Sequence, residues 1–185
     1  MQRKSVGLIV GILIIVVVAG IFMSSGLFVS SVNEVNVVNN TYSGDGVSFN
    51  IPPNWQVYKV LADESTINLD IYKDNSNNTE ITIATFPNPK GMSNQDLINS
   101  IQNPTNQEGN WEKISNITTT FDGNTAYENT YIFNDSSRFK QPMKEQQITF
   151  IKNGKTYALI FDAPENTFDT EQSNFNITLN SFQIL

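Results

Sequence analysis

Asp70, Glu80, Glu128, Glu145 and Asp162 fall in or beside strand-like runs, and they carry most of the chemistry open to this chain. The sequence has no His and no Cys. That removes Ser-His-Asp and Cys-His nucleophilic catalysis, His-ligated haem, thiolate metal sites and disulfides together. What remains for catalysis is carboxylate pairs, Ser-Lys or Tyr, and a carboxylate pair would serve glycoside hydrolysis. Asp70 and Asp162 sit at or near the ends of their runs, where solvated turn carboxylates are the norm, so no catalytic residue is assigned. Neither GxGxxG nor GxxxxGK occurs, so no phosphate cradle and no cofactor is expected. Asp74, Ser76, Asn78 and Glu80 alternate as in a calcium loop. However, Thr79 stands where the loop needs Gly, and Thr85 where it needs a bidentate Glu, so no metal site is assigned.

The binding chemistry lies elsewhere. Tyr127 and Tyr131 share one face of a strand with Asn129 and Phe133, and Trp111 opens the preceding strand. Arg138 and Lys140 form a local basic pair in the loop over 134–142. Trp111, Tyr127, Tyr131, Arg138 and Lys140 are therefore the candidate binding residues, as aromatic and basic anchors of a patch. Sequons at Asn39, Asn77, Asn116, Asn134 and Asn176 are no more frequent than chance allows. Asn77 and Asn134, in loops, are the better glycosylation acceptors.

The elements that must position these residues are mostly strands. The stretch 143–163 holds two runs rich in β-branched and aromatic residues around Asn153-Gly154, the strongest short signal for a hairpin. Alternation also marks strands at 47–51, 67–71 and 81–83, and Asp122-Gly123 marks a second hairpin. Trp55, just past Pro52-Pro53, reads as an edge plug of the core. Leu97, Ile98 and Ile101 predict a helix over 93–102. Phe168, Gln172, Phe175 and Leu179 predict a final helix capped by Asn166 or Thr167, with Asp169 and Glu171 complementing its dipole. A short strand over 182–185 follows.

Residues 6–23 are apolar without interruption, about 27 Å as a helix, and uncharged residues continue to 29. Arg3 and Lys4 precede the run and every acidic residue follows it, which predicts the N-terminus in the cytoplasm and the rest outside. Ser24 and Gly26 would suit a cleaved signal peptide, but the run exceeds the usual apolar length of one, so a retained anchor is expected. Gly7 and Gly11 form a GxxxG pair. The division is a tail over 1–5, a transmembrane anchor over 6–29, a stalk over 30–43 with a first short strand near Val35, Val37 and Val38, and an extracytoplasmic domain over 44–185. The net charge of −7 argues against nucleic acid as a partner.

Two regions resemble the PsbP-like family, including its membrane-anchored archaeal members. Residues 46–55, G-V-S-F-N-I-P-P-N-W, resemble its first strand, and residues 157–184 resemble its last strand, terminal helix and closing Ser-Phe. The resemblance implies an α+β fold, an antiparallel sheet sandwiched between helices, here preceded by one transmembrane helix. The plant members are accessory subunits of photosystem II that help retain calcium and chloride. Their metal-binding histidine has no counterpart here, so neither role is carried over. The expectation is a non-catalytic binding or accessory module at the plasma membrane, with an envelope protein as partner. A surface receptor for a small ligand or cation is the alternative, with converging Asp, Asn or Tyr side chains, and a carboxylate-dependent hydrolase is a weaker third.

Overall fold

The Asn153-Gly154 turn forms as its residue pair demands, with φ of 53° and 72° at its two central positions. Asp122-Gly123 and Asp45-Gly46 repeat the device. The computed structural model describes residues 32–35, 37–61, 67–73, 79–87, 96, 99, 111–134 and 139–185, with the backbone alone at 32–34, 60, 61 and 111. The strands are β1 (Val32–Glu34), β2 (Thr41–Gly44), β3 (Val47–Asn50), β4 (Trp55–Leu61), β5 (Ile67–Lys73), β6 (Glu80–Pro87), β7 (Trp111–Phe121), β8 (Asn124–Phe133), β9 (Met143–Lys152), β10 (Lys155–Pro164) and β11 (Gln183–Ile184). One helix, α1 (Phe168–Ser181), lies between β10 and β11.

Eight strands form an antiparallel sheet in the order β1-β4-β5-β6-β10-β9-β8-β7. The β9–β10 hairpin is thus central, as expected. A second sheet, β11-β3-β2, packs with α1 over one face of the first. Between them lies the main core. Leu69, Ile71, Ile81, Ile83, Leu159 and Phe161 point from the large sheet to Val47, Phe49, Phe168, Phe175 and Phe182. Phe161 stacks on Phe175 at 5.3 Å and meets Phe168 at 4.8 Å. Each such aromatic contributes about 2–3 kcal/mol by burial alone. Thr167 caps α1 through its carbonyl, which accepts from Thr170 and Glu171, while its hydroxyl donates back to the Pro164 carbonyl.

Three expectations change. β4 is a strand that the sequence reading does not supply. It pairs with β5 from Trp55↔Lys73 to Leu61↔Ile67, and Trp55 and Val57 enter the core. Within the expected stalk, β1 joins the large sheet by pairing with β4 and β2 joins the small one, because an edge strand needs only backbone groups to add on. The short strand foreseen at Val35 to Val38 is three residues earlier, and Val38 makes only an isolated bridge to Thr41. Of the helices expected on the two faces, α1 covers one. Asp96 and Asn99 are helical, and the rest of the helix over 93–102 lies outside the described residues, as does the anchor over 6–29. Among the described residues no helix is long and apolar enough to cross a membrane.

Candidate functional site

Alternation along a strand gives each one two faces, and pairing aligns those faces into rows across the sheet. On the face away from α1 the rows are mixed: Ala84, Phe86, Ala158 and Ile160 form a small apolar cluster, and polar side chains surround it. One row runs Gln56, Tyr72, Glu80, Asp162, Glu145, Tyr131 and Lys113 across seven strands, each residue directly opposite the next. The adjacent row runs Tyr58, Asp70, Thr82, Ile160, Gln147, Asn129 and Asn116. The third holds Asn68, Ala84, Ala158, Thr149 and Tyr127. Three carboxyls flanked by two tyrosines thus stand in one line, with a fourth, Asp70, beside them.

Such a face normally meets water. Here it is largely closed. Asp70 is 0 % exposed, Glu145 4 % and Tyr131 2 %. Asp70 therefore lies in mid-strand and fully buried, not in a solvated turn, and Asp162 lies half-buried within β10, which runs on to Pro164. The expectation of solvated carboxylates at these two positions is corrected accordingly. It failed because both strands extend past the alternating core that marked them.

Burial sets the protonation. It pushes the Asp70 carboxyl up to about 7, against a hydrogen bond from Thr82 Oγ1 to Asp70 Oδ1 at 3.1 Å that pulls the other way. Burial also holds Glu145 well above the usual carboxylate range, and the charge and hydrogen bond of Asp162 add to it. A hydrogen bond joins Glu145 and Asp162. Tyr131 is pushed up to about 12 by burial and then by Glu145. Tyr72 is raised by burial first, then by Glu80, Asp70 and Asp162 around its phenol.

Four further atoms of this face are buried without a hydrogen-bond partner among the described residues: Asn68 Oδ1, Asp70 Oδ2, Asn129 Nδ2 and Thr149 Oγ1. Asn129 uses its other end, accepting from Asn116 Nδ2 at 2.8 Å. Buried polar atoms rarely stay unsatisfied, because each costs about 1–3 kcal/mol, so the pair on β5 and the pair on β8 and β9 each mark a place where water or a ligand belongs. Chemically the face can accept hydrogen bonds and offset positive charge. A hydrogen-bonded Glu145–Asp162 pair does not match a glycosidase, whose two carboxyls stand about 5–9.5 Å apart with the sugar between them. Among the described residues no three acidic groups converge as a metal site.

The expected binding residues are divided. Tyr127 and Tyr131 do share this face, and Phe133 continues it, with Phe139 from the following loop at 5.7 Å from its ring. Tyr131 is buried against Glu145 rather than displayed, because β8 is an inner strand and its partner row is closed. Tyr127 is half-buried, Lys140 is exposed in a bend and Asn134 is exposed just past β8. Trp111 opens β7 opposite Phe133. Arg138 and Asn77 lie outside the described residues.

Asn68, Tyr72 and Thr149 were not singled out from the sequence. A signal was present: the outward positions of β5, β6, β8, β9 and β10 carry acids, amides and tyrosines beside the apolar Ala84, Phe86, Ala158 and Ile160, and not one Lys or Arg. A solvated sheet face mixes both signs of charge.

Among solved structures the chain is similar to cyanobacterial PsbP (CyanoP) from Synechocystis sp. PCC 6803, at 17 % identity, 87 % of this chain, 96 % of that chain and a TM-score of 0.56. It is also similar to LpqN, a protein involved in cell envelope biogenesis of Mycobacterium tuberculosis, at 11 % identity, 84 % and 92 % coverage and a TM-score of 0.51. A protein from Bacteroides thetaiotaomicron VPI-5482 shares 9 % identity over 79 % of this chain and 48 % of its own, with a TM-score of 0.53. At these identities the likeness shows a shared fold. No curated sequence matches the chain. The PsbP family model matches residues 39–184, which hold every strand from β2 onward and α1, and on that match the chain belongs to the PsbP family.

Proposed function

We propose that the chain is a non-catalytic binding and accessory module, held outside the plasma membrane by an anchor helix over 6–29, with its N-terminus in the cytoplasm. The observation that carries the binding half is the closed polar face, where buried Asp70, Asn68, Asn129 and Thr149 keep atoms that no described group satisfies. Such an arrangement costs stability, and a fold retains it where recognition uses it. The anchor half is supported by the unbroken apolar run over 6–23 and by Arg3 and Lys4 before it. The partner is an envelope protein on the same side of the membrane. CyanoP and LpqN lend this a fold-level analogy only.

Crosslinking in native membranes, followed by capture of the full chain and mass spectrometry, tests the reading. A recurrent partner that is lost with Tyr127→Ala or Asp70→Asn supports it. No partner above background, or one indifferent to both variants, removes the accessory role. Alkaline extraction and protease shaving of intact cells test the anchor: the chain stays with the membrane and its domain is cut from outside.

A second reading, a receptor for a small ligand or cation, is favoured by the same face, because Asn68, Asp70 and Tyr72 stand side by side on β5.

A further inference from the structure

We infer that the closed polar face of the large sheet takes an organic cation with several N–H donors, a primary ammonium or guanidinium group, lodged beside Asp70 between Tyr72 and Asn68. The inference rests on the binding reading above and names its ligand chemistry.

The composition of the face sets the sign of the ligand. Asp70 is fully buried on it, and its cross-strand neighbours, Tyr58 and Thr82, are uncharged. Lys113 on the edge strand is the basic group of the row, two strands beyond Glu145 and exposed. The unsatisfied atoms fix the hydrogen-bonding type. Beside Asp70 these are Asn68 Oδ1, an acceptor, and Asp70 Oδ2, an acceptor in the ionised carboxylate, whereas Thr149 and Asn129 lie three and four strands away on β9 and β8. A ligand that satisfies them brings mainly donors. Both Asn68 and Asp70 belong to β5 and are separated by one residue, so they point the same way, about 6–7 Å apart along the strand. That spacing suits one ammonium or one guanidinium fork reaching both.

Aromatic rings complete the cradle. Tyr58 stands opposite Asp70, and its ring lies 6.1 Å from that of Tyr72 at a tilt of 55°. Ring faces of this kind attract desolvated cations. A bare metal ion fits less well. It needs several oxygens on one point, and among the described residues no three acidic groups converge that closely.

The same chemistry comes from two sources, a free amine or the Lys or Arg side chain of a partner protein. Calorimetric titration of the full chain separates them. The probes are putrescine, spermidine and agmatine, then N-acetyl-lysine amide and N-acetyl-arginine amide, with sodium and calcium chloride at matched ionic strength. Saturable binding of a free diamine, absent with the capped amino acids, marks a small-molecule site. Binding of the capped amino acids marks a docking site for a basic side chain. In either case Asp70→Asn is expected to weaken binding at least tenfold, and Tyr72→Phe to keep most of it, since the ring remains. The inference is overturned if no amine binds above the salt controls, if Asp70→Asn binds as well as the parent, or if calcium alone gives the saturable response. Capture of an envelope partner with no amine binding would sink this inference and leave the accessory role standing. Failure of both would remove both.

Discussion

Asp70 is where residue chemistry and fold stability pull against each other. Its carboxyl is ordinary in the unfolded chain, near 3.8, and is pushed up to about 7 in the folded one. A carboxyl raised by folding favours the folded state only while it is protonated. Below the unfolded value it costs nothing, between about 4 and 7 the cost grows, and above 7 it is complete. The rise from 3.8 to about 7 is worth about 4 kcal/mol as an upper figure. Asp45 and Glu171 run the other way. Although burial raises both, hydrogen bonds and ion pairs with Lys59 and Lys73 hold them below their usual values, so their stabilisation is lost as pH falls through that range. We expect Asp70→Asn to match the parent near pH 4 and to exceed it by about 2–4 kcal/mol at pH 8, in urea melts at the two pH values. Equal stability at pH 8 would show that Asp70 is ionised and satisfied in the fold. If the variant also loses an amine ligand, the residue trades stability for recognition. The identity of this residue was plain in the sequence, but its burial was not. Alternation tells which side of a strand a residue faces and does not tell what covers that side.

At the scale of the element, the legible parts were those where local physics decides. Asn153-Gly154 and Asp122-Gly123 are hairpins because few other pairs accept positive φ twice in succession. α1 was legible from its apolar spacing and first-turn acids, and its capping residue was one of the two expected. β4 was missed although Trp55, Val57 and Lys59 alternate with Gln56, Tyr58 and Val60, because Lys59 occupies an inward position and blurs the pattern. The structure explains the exception: Lys59 pairs with Asp45 at the rim of the small sheet. A direct test of turn control is Gly154→Ala. A Cβ there meets nothing within 4 Å, so the cost is the left-handed backbone alone. The expected loss is about 1–2 kcal/mol with an unchanged denaturant slope. Gly44→Ala differs in kind, since its Cβ would lie 2.9 Å from the Tyr42 hydroxyl, which also holds Asp45. It should disturb that contact and the Lys59 pair with it, visible as a lower midpoint at neutral pH.

At the scale of the molecule, β3 and the end of α1 hold each other across most of the chain. Thr178 Oγ1 donates to the Asn50 carbonyl at 3.0 Å, and the Asn50 amide donates to Ser181 Oγ at 2.8 Å. Beyond them β11 pairs with β3, and the Leu185 amide reaches the Gly46 carbonyl. Phe182 closes the core, touching the rings of Phe121, Phe150 and Tyr157. Removing 182–185 should therefore cost about 3–5 kcal/mol, read by thermal melting, while Gln183→Ala, exposed, should cost under about 0.5. None of this closure was legible from either segment alone, since neither run states its partner. It has a consequence for biogenesis. In a chain that emerges from its N-terminal side, β2 and β3 can pair with each other at once, while β11 and the end of α1, which close β3, arrive more than a hundred residues later. Until Ser181 emerges, Phe49 and Val47 lack the cover of α1, and the early hairpin stands as a sticky ribbon. Folding thus waits on the last residues of the chain, and the time the early hairpin spends uncovered sets its exposure to misassociation.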